Sequence, residues 1–466
     1  MIKSRLFELF DTFPKKDIRQ LGKFIASPFF NQRGHVNDLF DYLVVCKFEK
    51  KADPQREKAF EVLFPNQKYD DHKLRLSMSL LQKAFEKYLI WQQVTKEESN
   101  SKIKLARAYR ELNLPRHFLK TISEVKIMQN DQAYHNADYY QDRYELYMEE
   151  YLFHSEQSRM EGLNLQQVQE NLDIAYITSK LRQSCFLISH QNIYNKEYDF
   201  GMLPQMLSYI EQNSLLDIPA ISVYYYCYHA LISSKEYHHF EKFKELIFKH
   251  QSSFPQNEIR DLFLLATNYC IRLMNQGEKR FAKEGLSIYK EGLNNEALLL
   301  NGVLSRFTYR NIVAKAIVSK DFDWAEGFIQ SYKDQLVEKY RESTFSFNLA
   351  WLEYERKNYD KALDLLLKAN FTDLLLNLSA KTIAMKIYYE IDAFDLLYSH
   401  LEAMKKFIDR KEIIAYHKKN YLNTIKFTKK LLELPISNRS VKQKLRKEID
   451  ATASIAEKSW LLQQLS

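Results

Sequence analysis

The residues of this chain best equipped for metal or nucleophilic chemistry are its twelve histidines and four cysteines, and their spacing does not assemble a site. His238-His239 is the sole adjacent histidine pair, and no H-E-x-x-H run is present. Neighbouring residues on a helix point about 100° apart, so the pair reads as a solvated turn or helix start among Lys235, Glu236 and Glu241. Cys227 and His229, in the run Tyr224-Tyr225-Tyr226-Cys227-Tyr228-His229, stand two apart and face away from each other on a helix. They read as parts of a packed helix rather than as nucleophile and base. Acidic pairs such as Glu149-Glu150 sit on polar faces, without the desolvation that a general acid requires. Phosphate loops, dinucleotide fingerprints and nucleophile elbows are all missing. The chain is therefore expected to be no enzyme, and to need no cofactor or metal.

Charge offers a different chemistry. Residues 405–449 hold 14 Lys+Arg against 4 Asp+Glu, which leaves 54 basic and 56 acidic residues elsewhere. The whole positive excess thus lies in one segment. On a helix over Lys411 to Leu432, the side chains of Lys411, Lys418, Lys419, Lys426, Lys429 and Lys430 share an arc of about 120°. Ile413, Ile414, Tyr421, Ile425, Leu431 and Leu432 take the other side. A lysine face is the ordinary solvent coat of a terminal helix; it can also neutralise phosphates without reading sequence.

The elements that position these residues are helical. Gly and Pro number 9 each, about 2% apiece, against ordinary frequencies of about 7% and 5%. Tight hairpins and Gly-rich cofactor loops need residues that tolerate positive φ, so sandwiches, barrels and dinucleotide-binding folds are disfavoured. Thirty-one Tyr and 30 Phe suit the wide gaps between stacked helices. Cys46, Cys185, Cys227 and Cys270 are scattered, as in a reducing compartment. The first residues are too charged for a signal peptide, and no run of 18 apolar residues occurs. A cytoplasmic protein without membrane contact is expected.

Three regions are expected. Residues 1–95 carry Pro14, Pro28, Pro54 and Pro65 and read as a compact N-terminal helical region. Its stripes are Ile18, Leu21, Phe24, Ile25; Val36, Leu39, Phe40, Leu43; and Leu74, Met78, Leu81, Phe85, Leu89. Thr95 to Asn100 is its connection to an array over 96–404. Weak breaks divide that array at Leu114-Pro115, Asp199 to Gly201, Ile218-Pro219, Phe254-Pro255, Gln276-Gly277 and Asn294-Asn295, into hairpin-sized pieces. Residues 405–466 form a basic C-terminal helical cap, with one final helix from about Ser440.

Within the array, Thr344 to Leu376 reads as one helix–turn–helix unit. Leu349-Ala350 lie on its first helix, Tyr359 follows the polar break, and Ala362 and Ala369 lie on the second. In the preceding piece Ile312, Phe322 and Ala325 hold equivalent places, and in the next Phe394 and Leu397 do. The spacing is 37 from Ala325 to Ala362 and 35 from Ala362 to Leu397. Gly285, Tyr289 and Gly292 echo the second-helix pattern earlier in the chain.

This pattern resembles the tetratricopeptide repeat, clearest over 306–404, although Val337 and Leu374 stand where the family has proline. The resemblance implies an all-α solenoid of irregular hairpins whose first helices line a concave groove. Carried over position by position, that groove presents Arg310, Phe347, Trp351, Tyr354, Lys386 and Tyr389. Arginine and aromatic residues dominate many interfaces. The expected function is a protein-interaction scaffold that binds a peptide or protein segment of acidic character. The alternative is a nucleic-acid-associated regulator using the lysine face, or the N-terminal helices, where residues 1–95 hold 17 basic and 12 acidic side chains.

Overall fold

The computed structural model describes the 466-residue chain apart from residues 2, 158–162, 195, 234–235, 370, 372, 411–414, 435–438 and 466. It is all-α, 79% helical, with two compact units, Met1–Tyr176 and Ile177–Ser466.

The first unit begins with five α-helices, Arg5–Thr12, Lys15–Ala26, Gly34–Val44, Arg56–Leu63 and Asp71–Lys96, the third extended by a π-helical turn over Val45–Lys50. The stripes read from the sequence are their buried faces: Leu21, Leu39, Leu43, Leu74, Leu81 and Phe85 are all fully buried in one core. The Asp70 carboxylate caps the long helix by accepting the Lys73 N–H at 3.1 Å. The connection expected over Thr95 to Asn100 shrinks to Glu97, because the next helix, Glu98–Glu111, starts at once. That helix pairs with Pro115–Asn130 and packs on Ala137–Gln157. There Glu149, expected on a polar face, is instead buried, and Arg107 and Arg110 hold it at 2.5 and 2.9 Å.

The second unit is a repeat-like succession of helices packed in neighbouring pairs, an arrangement compatible with a helical solenoid. Pro219–Ile232 pairs with Tyr237–His250, and Gln256–Asn275 with Arg280–Asn294. Arg306–Val318 pairs with Phe322–Ser331, Glu338–Glu355 with Tyr359–Lys368, and Leu374–Glu390 with Phe394–Arg410. All six weak breaks fall at helix ends, with Pro115 and Pro219 at the first helical position. Ala325, Ala362 and Leu397 are each fully buried in the first turn of a second helix.

One turn recurs. Lys320, Lys357 and Asp392 have φ of 58°, 67° and 55°. Each donates its N–H three residues back, to Ile317, Tyr354 and Tyr389. The next residue donates five back: Asp321 to Ala316, Asn358 to Glu353, and Ala393 to Tyr388, each at 2.9 Å. Asn113-Leu114 and Gly277-Glu278 repeat the arrangement. This pairing closes a helix by satisfying its last carbonyls. Lys320, Lys357 and Asp392 are 37 and 35 residues apart, the spacing of the small-residue positions.

Glycine scarcity therefore does not mean scarce positive φ. Nine non-glycine residues adopt it among the described residues, against three glycines. At the helix-ending turns the local cost is offset because the helices on either side are held by burial. One two-residue hairpin also forms: Leu299 pairs with Leu304 and Leu300 with Val303, across Asn301-Gly302 at φ 52° and 76°.

After Phe394–Arg410 come Ala415–Leu432, Arg439–Ala451 and Lys458–Gln463. The single final helix expected from Ser440 is thus two. The break is held by Lys458 Nζ, which donates to the Asp450 carbonyl at 2.6 Å, and by the Ala456 N–H, which donates to Thr424 Oγ1 at 3.2 Å. Among the described residues no helix is long and apolar enough to cross a membrane.

Candidate functional site

The first helices of the last three pairs, Arg306–Val318, Glu338–Glu355 and Leu374–Glu390, turn equivalent faces toward one cleft of about 1100 Å³. Arg310 and Phe347 are one repeat of 37 apart; Trp351 and Lys386, like Tyr354 and Tyr389, are 35 apart. All six residues expected in the groove line this cleft. Its remaining wall comes from the C-terminal helices, through Tyr421, Glu457, Trp460 and Gln464.

Lining a cleft and facing a ligand are different things. Phe347 and Tyr354 are 1% and 5% exposed and belong to the core between helix pairs, so the expectation that they offer contact area is corrected. On a helix whose two flanks both pack on neighbours, positions i and i+7 are covered from the side. Trp351, Tyr389 and Arg310 are half-buried and supply the accessible surface.

The cleft cations divide likewise. Lys386 is ion-paired with Glu457, and Lys357 with Glu390 at 2.8 Å. Arg310 donates through Nη2 to Ser379 Oγ at 3.2 Å and lies over the Phe347 ring at 5.0 Å. It forms no ion pair among the described residues. Burial pulls its guanidinium below the ordinary value, which Tyr421, Asp373 and Glu457 partly offset. Arg310 is thus the cleft cation still without a carboxylate.

Sequence reasoning missed the residue around which one end of the cleft is built. Glu390 accepts from Lys357 Nζ at 2.8 Å, Tyr354 Oη at 2.5 Å, Trp460 Nε1 at 2.9 Å, and Tyr359 Oη. Burial alone would raise its carboxyl, but the four donors overwhelm that effect and hold it at about 2. Burial and this carboxylate together push the Tyr354 phenol far up. No sequence signal announces the arrangement, because Trp460 lies seventy residues beyond Glu390.

Comparison with family models, with curated proteins and with solved structures gave no match.

Two other candidates take a definite form. On the basic helix, Lys418 pairs with Asp409 at 3.5 Å, Lys426 and Lys430 with Glu448 at 3.6 and 2.6 Å, and Lys429 with Glu402. Among the described residues Lys419 has no ion pair, and Lys411 lies outside them. The face is largely neutralised from within, by carboxylates on adjacent helices that a single-helix projection does not contain.

His238 and His239 do not diverge as their helical spacing suggests. Their ring centroids are 3.9 Å apart, and His239 Nε2 lies 3.2 Å from Glu236 Oε2. In the first turn of a helix no preceding turn restricts the rings. His239 also stacks on His229 at 4.9 Å. Burial lowers both the His229 and the His239 imidazoles. Cys227 is fully buried, as a packing residue would be.

Proposed function

We propose that this protein is a non-enzymatic interaction scaffold, a degenerate tetratricopeptide-like solenoid that binds a peptide or protein segment in the cleft over residues 306–390. The observation that carries the reading is the convergence of three equivalent helix faces on a cleft of about 1100 Å³ holding a half-buried arginine without a carboxylate partner among the described residues. That volume reaches the upper end of ordinary ligand pockets, about 300–1,000 Å³, and has room for several side chains of a segment. An acidic side chain would meet Arg310, while Trp351 and Tyr389 would flank it as amphipathic rings. Lys386 and Lys357 contribute less than their charge suggests, since each already has an internal carboxylate.

The test places a photoreactive residue at Gln464 on the cleft wall and recovers cross-linked partners from the native cell. Arg310→Gln should remove the dominant cross-link with little change in melting temperature, and Arg310→Lys should restore part of it. Equal recovery from the wild type and Arg310→Gln would sink the reading. So would cross-links that are exclusively to nucleic acid.

A further inference from the structure

The N-terminal unit carries a second surface, independent of the cleft. Ser27-Pro28 ends the Lys15–Ala26 helix, and the chain must reverse before Gly34–Val44 begins. Asn31 fixes that reversal. Its Nδ2 donates to the carbonyls of Ile25 and Arg33 at 3.2 and 3.3 Å and to Asn37 Oδ1 at 2.9 Å. Its Oδ1 accepts the Arg33 N–H at 3.1 Å. The N–H groups of Phe30 and Asn31 both donate to the Ser27 carbonyl at 3.0 Å. The loop is therefore pre-shaped by hydrogen bonds rather than left loose.

The two phenylalanines of this loop have opposite fates. Phe30 is anchored, stacked on Phe24 at 3.8 Å, and Phe24 in turn meets Tyr88 and Trp91 at 5.4 and 6.1 Å. Phe29 meets Phe30 edge-on at 5.0 Å and is 87% exposed. Covering such a ring removes apolar surface from water and is favourable, and a fixed loop loses little entropy on binding. Beside it, Phe29, Phe30 and Leu80 line a pocket of about 310 Å³ that Arg33, Lys83 and Lys87 also border. All three cations are exposed, and none forms an ion pair among the described residues.

Apolar ring, rigid support and unpaired positive charge specify the occupant. A nucleic-acid strand needs a track of cations and successive stacking rings, whereas here one free ring and three cations surround a single small pocket. We propose that the 27–33 loop and the Leu80–Lys87 stretch of the Asp71–Lys96 helix form a docking pocket for a short acidic segment of another protein. An apolar side chain of that segment covers Phe29, and its carboxylates meet Arg33, Lys83 and Lys87.

A displayed library of random peptides, selected on the full chain, tests this. Enriched peptides should combine Asp or Glu with an aromatic or branched apolar residue. By fluorescence anisotropy they should bind Phe29→Ser about tenfold more weakly, which is about 1.4 kcal/mol. The double variant Lys83→Gln, Lys87→Gln should bind them more weakly and with less dependence on salt. All three positions are exposed, so these variants should keep the wild-type melting temperature. The proposal is overturned if no peptide is enriched, if enriched peptides lack acidic residues, or if Phe29→Ser binds them undiminished. Displacement of the peptides by a single-stranded oligonucleotide at equal concentration would overturn it too.

Discussion

Trp460 donates its indole N–H to Glu390 at 2.9 Å, joining the last helix of the chain to the end of the Leu374–Glu390 helix seventy residues earlier. Tyr354 and Tyr359 reach the same carboxylate from the preceding hairpin. One ionised group thus ties together two successive helix pairs and the terminal wall of the cleft.

Glu390 should therefore matter to stability in acid. Its folded carboxyl sits at about 2, below the unfolded value of about 4.3. Its contribution is fully present above the unfolded value and is lost as pH falls toward 2. Glu390→Gln should destabilise by about 2–3 kcal/mol at pH 7, because a largely buried charge network loses its centre. Urea unfolding at several pH values checks this. The variant's deficit should shrink between pH 4.5 and 2.5, and a constant deficit would contradict the assignment.

Lys315 should behave in the opposite sense. It is 4% exposed, packed beside Cys270 and Gly285, and burial pulls its ammonium down to about 8. The folded state then releases this proton before the unfolded chain does, so the charged form costs stability below pH 8, and that cost fades as pH rises toward 10. Burial pushes the neighbouring Cys270 thiol up to about 12, which gives the reverse trend above pH 9. The readout is thus the difference between variant and wild type. Lys315→Met should stabilise by about 2 kcal/mol at pH 7, with the advantage narrowing by pH 9.5. Destabilisation at pH 7 would show that the ammonium has a favourable role.

The recurrent helix-ending turn makes an unusual substitution favourable. Lys320 is exposed and sits at φ 58°, where a side chain costs about 1–2 kcal/mol and glycine is free of that strain. Lys320→Gly should raise stability by about 0.5–1 kcal/mol, after the greater unfolded-state freedom of glycine is allowed for. Thermal unfolding reads this directly. A lowered melting temperature would mean that the turn does not depend on this conformation.

Much of the architecture was legible. Stripes such as Leu74, Met78, Leu81 and Phe85 became buried faces because burial follows the period of the helix itself. Five of the six breaks carry proline or glycine and fell at helix ends because those residues act on their own backbone, and Asn294-Asn295 fell at one without either. The cleft residues Arg310, Trp351 and Tyr389 were found through repeat spacing, and the three share one cavity. Phe347 and Tyr354 were misread as presented surface, since a single helix does not reveal which of its flanks a neighbour will cover.

What the sequence determined by itself is everything set by near neighbours along the chain: helical content, apolar faces, breaks, and a hairpin spacing of 37 and then 35. What only the tertiary structure decided is which charges remain available. Lys386, Lys429 and Lys430 looked like free cations and are paired with Glu457, Glu402 and Glu448, while among the described residues Arg310 and the Arg33, Lys83, Lys87 group have no carboxylate partner. The physical reason is range. A helix forms through contacts four residues away, whereas an ion pair requires two side chains brought within a few ångströms, whatever their separation in sequence.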